Sequence, residues 1–255
     1  MLTFTYLRRA LSAETLKLKR TLAVWMVLIA PSVVVALNFV MLLDRGAQYL
    51  TEADSAWLSV AQNVLLFWAL LMLPLFITLE TALLGSVDHN SQQWKHLYAL
   101  PIPRWAIYTA KSIIALILIG ASTLVLWGET IAAGLLLRAL KPEIALGLPV
   151  PAGELLQPML LTFLIAWCII AVHLFVALRW QSFTFAIGFG IATAVINFMV
   201  IQSDKWSKFF PWAWPGYAII KEGADFLPLA LALGLIGGIS LGLIGMWIVS
   251  RREVV

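Results

Sequence analysis

The chain has 255 residues, of which 62% belong to the apolar set AVILMFWYC and 12% are charged, with a mean hydropathy of +0.95. Soluble domains hold about 45–50% apolar and about 25% charged residues, so this composition excludes a globule solvated by water and requires lipid. The 17 Lys and Arg against 13 Asp and Glu leave a charge of +4, but the basic residues flank apolar runs, a pattern of membrane topology rather than of a nucleic-acid surface. The single cysteine, Cys168, excludes an intramolecular disulfide and Cys-based metal motifs.

Residues 1–22 open the chain. Phe4, Leu7, Leu11 and Leu18 recur near the helical period, and Arg8, Arg9, Lys17 and Lys19 occupy other faces. This predicts an amphipathic helix lying in the headgroup region. A run of about 20 apolar residues at ~1.5 Å per residue crosses a ~30 Å hydrocarbon core. Six segments meet that length: 23–43, 57–79, 112–137, 155–178, 183–201 and 227–249. The first is too long, and too far from the N-terminus, for a cleaved signal. The expected fold is therefore an all-α polytopic membrane protein with six transmembrane helices. With the N-terminus inside, eleven Lys and Arg fall in inner segments and six in outer ones, which predicts that both termini are cytoplasmic.

Residues 80–111 form the longest predicted inner connection. Glu80 is expected at the inner end of the second span, in reach of water or a loop cation. Trp94, Leu97 and Tyr98 make an apolar knob ahead of Pro101 and Pro103, to be covered either by the membrane interface or by a protein partner. Glu129 falls in the third span, where a lone charge costs at least ~2.5–3.5 kcal/mol; it must face the bundle, be protonated or find a polar partner, and mid-span His173 is one candidate. Residues 202–226 carry Trp206, Phe209, Phe210, Trp212, Trp214 and Tyr217 around Pro211 and Pro215. Such rings suit an interfacial belt, or alternatively the rim of an outer vestibule. Gly234, Gly238 and Gly242 form a small-residue ladder on the last span, with a weaker one at Ala186, Gly190 and Ala194; ladders of this kind let helix backbones approach.

Catalytic signatures are missing. The sequence holds no G-x-x-x-x-G-K-[ST], H-E-x-x-H or G-x-S-x-G, and its three histidines are dispersed, which excludes a phosphate-cradling loop and predicts neither a metal site nor a bound cofactor. Two other readings stay open: a proton-coupled secondary transporter using Glu129 and His173, for which the chain shows no internal repeat, and an intramembrane hydrolase, which needs a close acid/His constellation.

Three blocks carry a family resemblance: 14–21 (ETLKLKRT) with Pro31; Glu80 and Gly85 with 93–104 (QWKHLYALPIPR) and 108–111 (YTAK); and 209–215 (FFPWAWP). In these the chain resembles the type 2 permeases of ATP-binding-cassette exporters, nearest the bacitracin-resistance and lantibiotic-immunity branch. The resemblance implies a bacterial inner-membrane subunit with no enzyme activity of its own, paired with a second permease copy and a separate ATPase that holds ATP and Mg. Residues 1–22 would be an elbow helix, and Glu80, Gly85, Trp94, Leu97 and Tyr98 would belong to the ATPase-coupling element. Residues 206–226 would fold partly back into the membrane. From the residues themselves, Glu129, His173, Trp212 and Trp214 are the candidates for a substrate path, and the apolar spans suggest an amphiphilic substrate. The resemblance assigns nothing to residues 138–154.

Overall fold

The computed structural model describes residues 2–19, 21–50, 56–90, 103–142, 144, 146–180, 182–219 and 225–251. Helix α1 (Leu2–Leu18) leads into α2 (Leu22–Leu50), which continues through Pro31. The second apolar run is built as α3 (Ala56–Phe67), a π-helical turn (Trp68–Met72) and α4 (Leu73–Asn90). Next come α5 (Arg104–Leu140), then α6 (Ala152–Ile165) and α7 (Trp167–Arg179), bent 42° at their junction, and α8 (Phe183–Val200). A short α9 (Asp204–Ser207) and a 3₁₀ segment (Pro211–Ala218) precede α10 (Leu227–Ser250). Among the described residues five helices are long and apolar enough to cross a membrane, and a sixth crossing results if the bent α6–α7 pair is one span. The fold is an all-α polytopic membrane protein, with no strand among the described residues.

The second and third apolar runs extend as helices beyond the lengths set by hydropathy. At ~1.5 Å per residue, the 37 residues of α5 reach about 55 Å, well past a ~30 Å core. Because α4 runs to Asn90 and α5 starts at Arg104, the inner connection is shorter than the predicted 80–111. Glu80 is consequently far from the end of its helix rather than at a loop boundary.

The helices pair most extensively as α2 with α5, α7 with α10, α4 with both α7 and α8, and α1 with α5. The main core joins Ala23, Val27 and Val34 of α2, Phe76 and Ile77 of α4, Ile114 and Leu126 of α5, and Trp212 of the 3₁₀ segment. A second cluster caps the far end, where Leu42, Trp57 and Leu137 enclose Ile144 and Leu146. The Trp57 indole N–H donates to Gly147 O (2.8 Å) and that of Trp127 to Ala152 O (2.9 Å). The α5–α6 connection, to which the resemblance assigns nothing, is thus held on the bundle by the Trp57 indole, and the first residue of α6 by that of Trp127.

Candidate functional site

Three groups of described polar side chains inside the bundle join one helix to another. The first joins α1 to the start of α5 and to α4. Ala10 packs on Ala106 and Ala110, which brings Glu14, 4% exposed, beside Lys111, 1% exposed. Lys111 Nζ donates to Glu14 Oε2 (2.7 Å) and to Leu84 O (2.9 Å), and Lys17 Nζ donates to Glu14 Oε1 (2.6 Å). Two charges this deep persist because each meets the other's charge at hydrogen-bond distance. One ammonium group therefore ties three elements together, just before α4 gives way to the connection toward α5.

Glu80 lies one helical turn from Leu84 and is fully enclosed, 0% exposed. Neither carboxylate oxygen has a hydrogen-bond partner among the described residues. The expectation that it reaches water is not met, because helix α4 continues ten residues beyond it. Gly85 sits against α7, where a Cβ would lie 2.8 Å from Ala177 O. Trp94, Leu97 and Tyr98 lie outside the described residues.

The second group is in the middle of the bundle. Trp212 Nε1 donates to His173 Nε2 (3.0 Å), and His173 Nδ1 lies 3.3 Å from Thr78 Oγ1, whose hydroxyl donates to Pro74 O (2.7 Å). An indole nitrogen can only donate, so Nε2 is the acceptor and Nδ1 carries the proton toward Thr78. Phe189 and Phe210 pack around Trp212, with ring centroids 6.1 and 5.0 Å away. Thr78 is six residues from Leu84, or ~9 Å along the helix axis. The 3₁₀ segment joins the far ends of α8 and α10, and Trp212 reaches inward from it to His173 and Phe189.

Proline chemistry prepares this place. Pro74 has no N–H to return to the preceding turn, that turn widens to π geometry, and Leu70 O accepts from Asn197 Nδ2 of α8 instead (3.1 Å). Close packing of α4 on α8 also needs Gly190, because a Cβ there would collide with the Thr78 side chain. The aromatic segment is accordingly divided. Trp206 and Phe209 are 61% and 73% exposed, as a belt would have them, whereas Trp212, Trp214 and Tyr217 are buried. Trp214 Nε1 donates to Lys208 O (3.1 Å), and Tyr217 Oη meets Ser207 Oγ (2.6 Å). With every ring N–H and O–H satisfied internally, these three residues have no need of the headgroup layer.

The third group is Glu129 with Ser32, whose hydroxyl lies 2.6 Å from Glu129 Oε1. Glu129 and His173 are not brought together: one faces α2, the other α4 and the 3₁₀ segment. The glycine ladder of α10 is also not uniform. A Cβ on Gly234 would sit 2.5 Å from Ile165 O, and one on Gly238 2.7 Å from Trp167 C, so both face the backbone at the α6–α7 bend. A Cβ on Gly242 would meet nothing within 4 Å. Gly242 faces a groove instead of a helix.

Hydropathy reading did not assign Glu14, Lys111, Thr78 or Asn197. A signal existed for the first: Glu14 is the only acid in the first 43 residues, set among five cations. Among the described residues no group of three or more His, Cys, Asp and Glu could hold a metal ion.

The fold and these groups define a multi-pass helical membrane protein in which three sets of interior polar residues join helix to helix. The family described as ABC-2 family transporter protein matches residues 10–199, and the chain belongs to it. It is a permease subunit of an ABC transporter, the membrane-spanning transport part, and the family implies an ATPase partner. No curated protein and no solved structure matches the chain.

Proposed function

We propose that this chain is the permease of an exporter in a bacterial inner membrane, with both termini cytoplasmic, working as a dimer with a separate ATPase. The connection after α4, with Trp94, Leu97 and Tyr98, docks on the ATPase, and α1 acts as the elbow helix at the membrane surface. The observation that carries the reading is the Glu14–Lys111–Leu84 contact. A push on the α4–α5 connection reaches α1, α4 and α5 together through a buried ion pair, without any nucleotide held by this chain.

An amphiphilic substrate, of the peptide-antibiotic type seen in the bacitracin and lantibiotic branch or lipid-like, suits a groove of about 410 Å³ between α2, α3 and α8. The groove is lined by apolar side chains such as Leu37, Met41 and Phe198, with Asn38 and Asn63 among them. Its size lies in the ~300–1,000 Å³ range of small-molecule sites, and a few polar groups in an apolar wall are their usual composition. In this reading His173, Trp212 and Trp214 hold the 3₁₀ segment between the helices, and Glu129 pins α2 to α5.

The test is reconstitution with the ATPase in vesicles. Trp94→Ala/Leu97→Ala should abolish substrate-stimulated ATP hydrolysis while insertion and yield are unchanged; full coupling in that variant would refute the docking. Glu129→Gln should retain ATP-driven transport within about twofold, since an amide oxygen still accepts the Ser32 hydroxyl. Abolition by that change, together with abolition by a protonophore in ATP-replete vesicles, would favour the proton-coupled alternative.

A further inference from the structure

A second groove of about 180 Å³ opens between α5, α7 and α10. Its walls include Tyr108, Leu116, Trp167, Leu174, Gly242 and Met246, and no charged residue lines it. An apolar cavity of ~150 Å³ holds a benzene-sized group, so this one has room for a stretch of alkyl chain. Ile239 and Leu243, on the same stretch of α10, are more than half exposed, and α10 is the least buried of the spans. The groove thus opens to the lipid, at the point where Gly242 carries no side chain to fill it.

One end of this groove carries an unmet hydrogen-bond demand. Tyr108 is 2% exposed, and its hydroxyl has no partner among the described residues. A buried donor without an acceptor is unfavourable, and an oxygen entering the groove would offset that cost. The ring lies against Gly245, where a Cβ would strike the phenol oxygen. Arg104 is one helical turn below Tyr108, and Arg251, stacked over Trp247 with its guanidinium 4.3 Å from the ring centroid, is just past the end of α10. Tyr108 thus lies one turn from a basic residue at the start of α5, so a phospholipid whose phosphate met that margin would bring its ester carbonyls near the phenol. Trp167 Nε1, beside Phe163 toward the deep end, also lacks a partner among the described residues, and an alkyl chain leaves it so.

We propose that the α5–α7–α10 groove is a lipid site, taking one acyl chain of an anionic phospholipid whose ester carbonyl accepts the Tyr108 hydroxyl and whose phosphate faces the margin of Arg104 and Arg251. Basic margins between transmembrane helices recognise anionic headgroups in this way. The inference needs the membrane placement alone and stands apart from the coupling and substrate readings.

The experiment is native mass spectrometry of the purified full chain, released from nanodiscs of phosphatidylglycerol mixed with phosphatidylcholine. The wild type should retain one phosphatidylglycerol per chain. Tyr108→Phe should weaken retention about fivefold, the net effect of one hydrogen bond, and Gly242→Phe should reduce it more than tenfold by filling the groove. Gly188→Phe, at a position on α8 that also faces open space, should match the wild type. Equal retention by Gly242→Phe, equal loss in Gly188→Phe, or capture of phosphatidylcholine or free fatty acid as readily as of phosphatidylglycerol would each overturn the proposal.

Discussion

Replacing Glu14 by Gln should destabilise the protein by about 3–5 kcal/mol, the usual result of removing one member of a buried ion pair. Lys111 is 1% exposed and donates to Glu14 and to Leu84 O. The Gln side chain keeps the shape but not the charge, so the ammonium stays buried without its carboxylate. Lys111→Met should cost less, near ~3 kcal/mol, because Glu14 keeps its 2.6 Å contact with Lys17, whose side chain is 20% exposed and reaches water. The double variant, neutral at both positions, relieves the stranded charge. It should be less harmful than the sum of the two by about 2–3 kcal/mol, within the range measured for contacting residues.

Reversible unfolding in mixed micelles of detergent and SDS reads these differences directly. The expected order of stability is wild type, then Lys111→Met, then Glu14→Gln with the double variant at the same level or up to about 1 kcal/mol below it, where additive changes would put it about 3 kcal/mol below. Additive single changes, or both singles within ~0.5 kcal/mol of the wild type, would refute the claim that this pair is a desolvated joint between α1, α4 and α5. In that event the pair would be an ordinary surface contact of the ~0–1 kcal/mol kind, and the transmission argument would lose its physical basis.

Two further outcomes separate positions that look alike in the sequence. Gly234→Ala should cost about 2 kcal/mol or more, since the new methyl would press on Ile165 O and Cα, which are backbone and cannot swing aside. Gly242→Ala should be neutral, or stabilising by up to about 1 kcal/mol, because it meets open space and raises helix propensity; SDS unfolding curves of the two measure the contrast. Trp212→Phe should lower stability by about 1–3 kcal/mol through the orphaned His173 Nε2 and increase protease cleavage in the 211–218 segment, whereas Trp206→Phe, at an exposed ring, should change neither.

The six apolar runs were legible because lipid imposes a minimum length on any helix that spans it, and length is countable in a sequence. Helix partners were not legible, because they depend on which face of each helix meets which. Glu14 and Lys111 stand 97 positions apart, and each is embedded in a flank whose charge already has a sufficient explanation in topology. The same holds for residues 202–226: an aromatic run with prolines reads as a belt, and nothing in hydropathy separates exposed Trp206 from buried Trp212. The distinguishing fact is whether an indole N–H finds an acceptor inside the bundle, and His173 is supplied by another helix.

Glu129 and His173 show why pairing by composition fails. Each is a rare polar residue in an apolar run, so a sequence invites joining them, yet one oxygen of Glu129 and one ring nitrogen of His173 each meet the hydroxyl of a Ser or Thr from a neighbouring helix. A hydroxyl is a cheaper partner than a second ionisable group, because it brings no charge of its own to desolvate. Serine and threonine can also return their hydrogen bonds to their own helix backbone: Ser32 has Leu28 O within reach, and Thr78 has Pro74 O. They blend into a span until a partner arrives, and they carry no signal in hydropathy. The residues most informative about interior contacts in this bundle are therefore the hydroxyls that the apolar runs conceal, more than the ionisable groups that stand out from them.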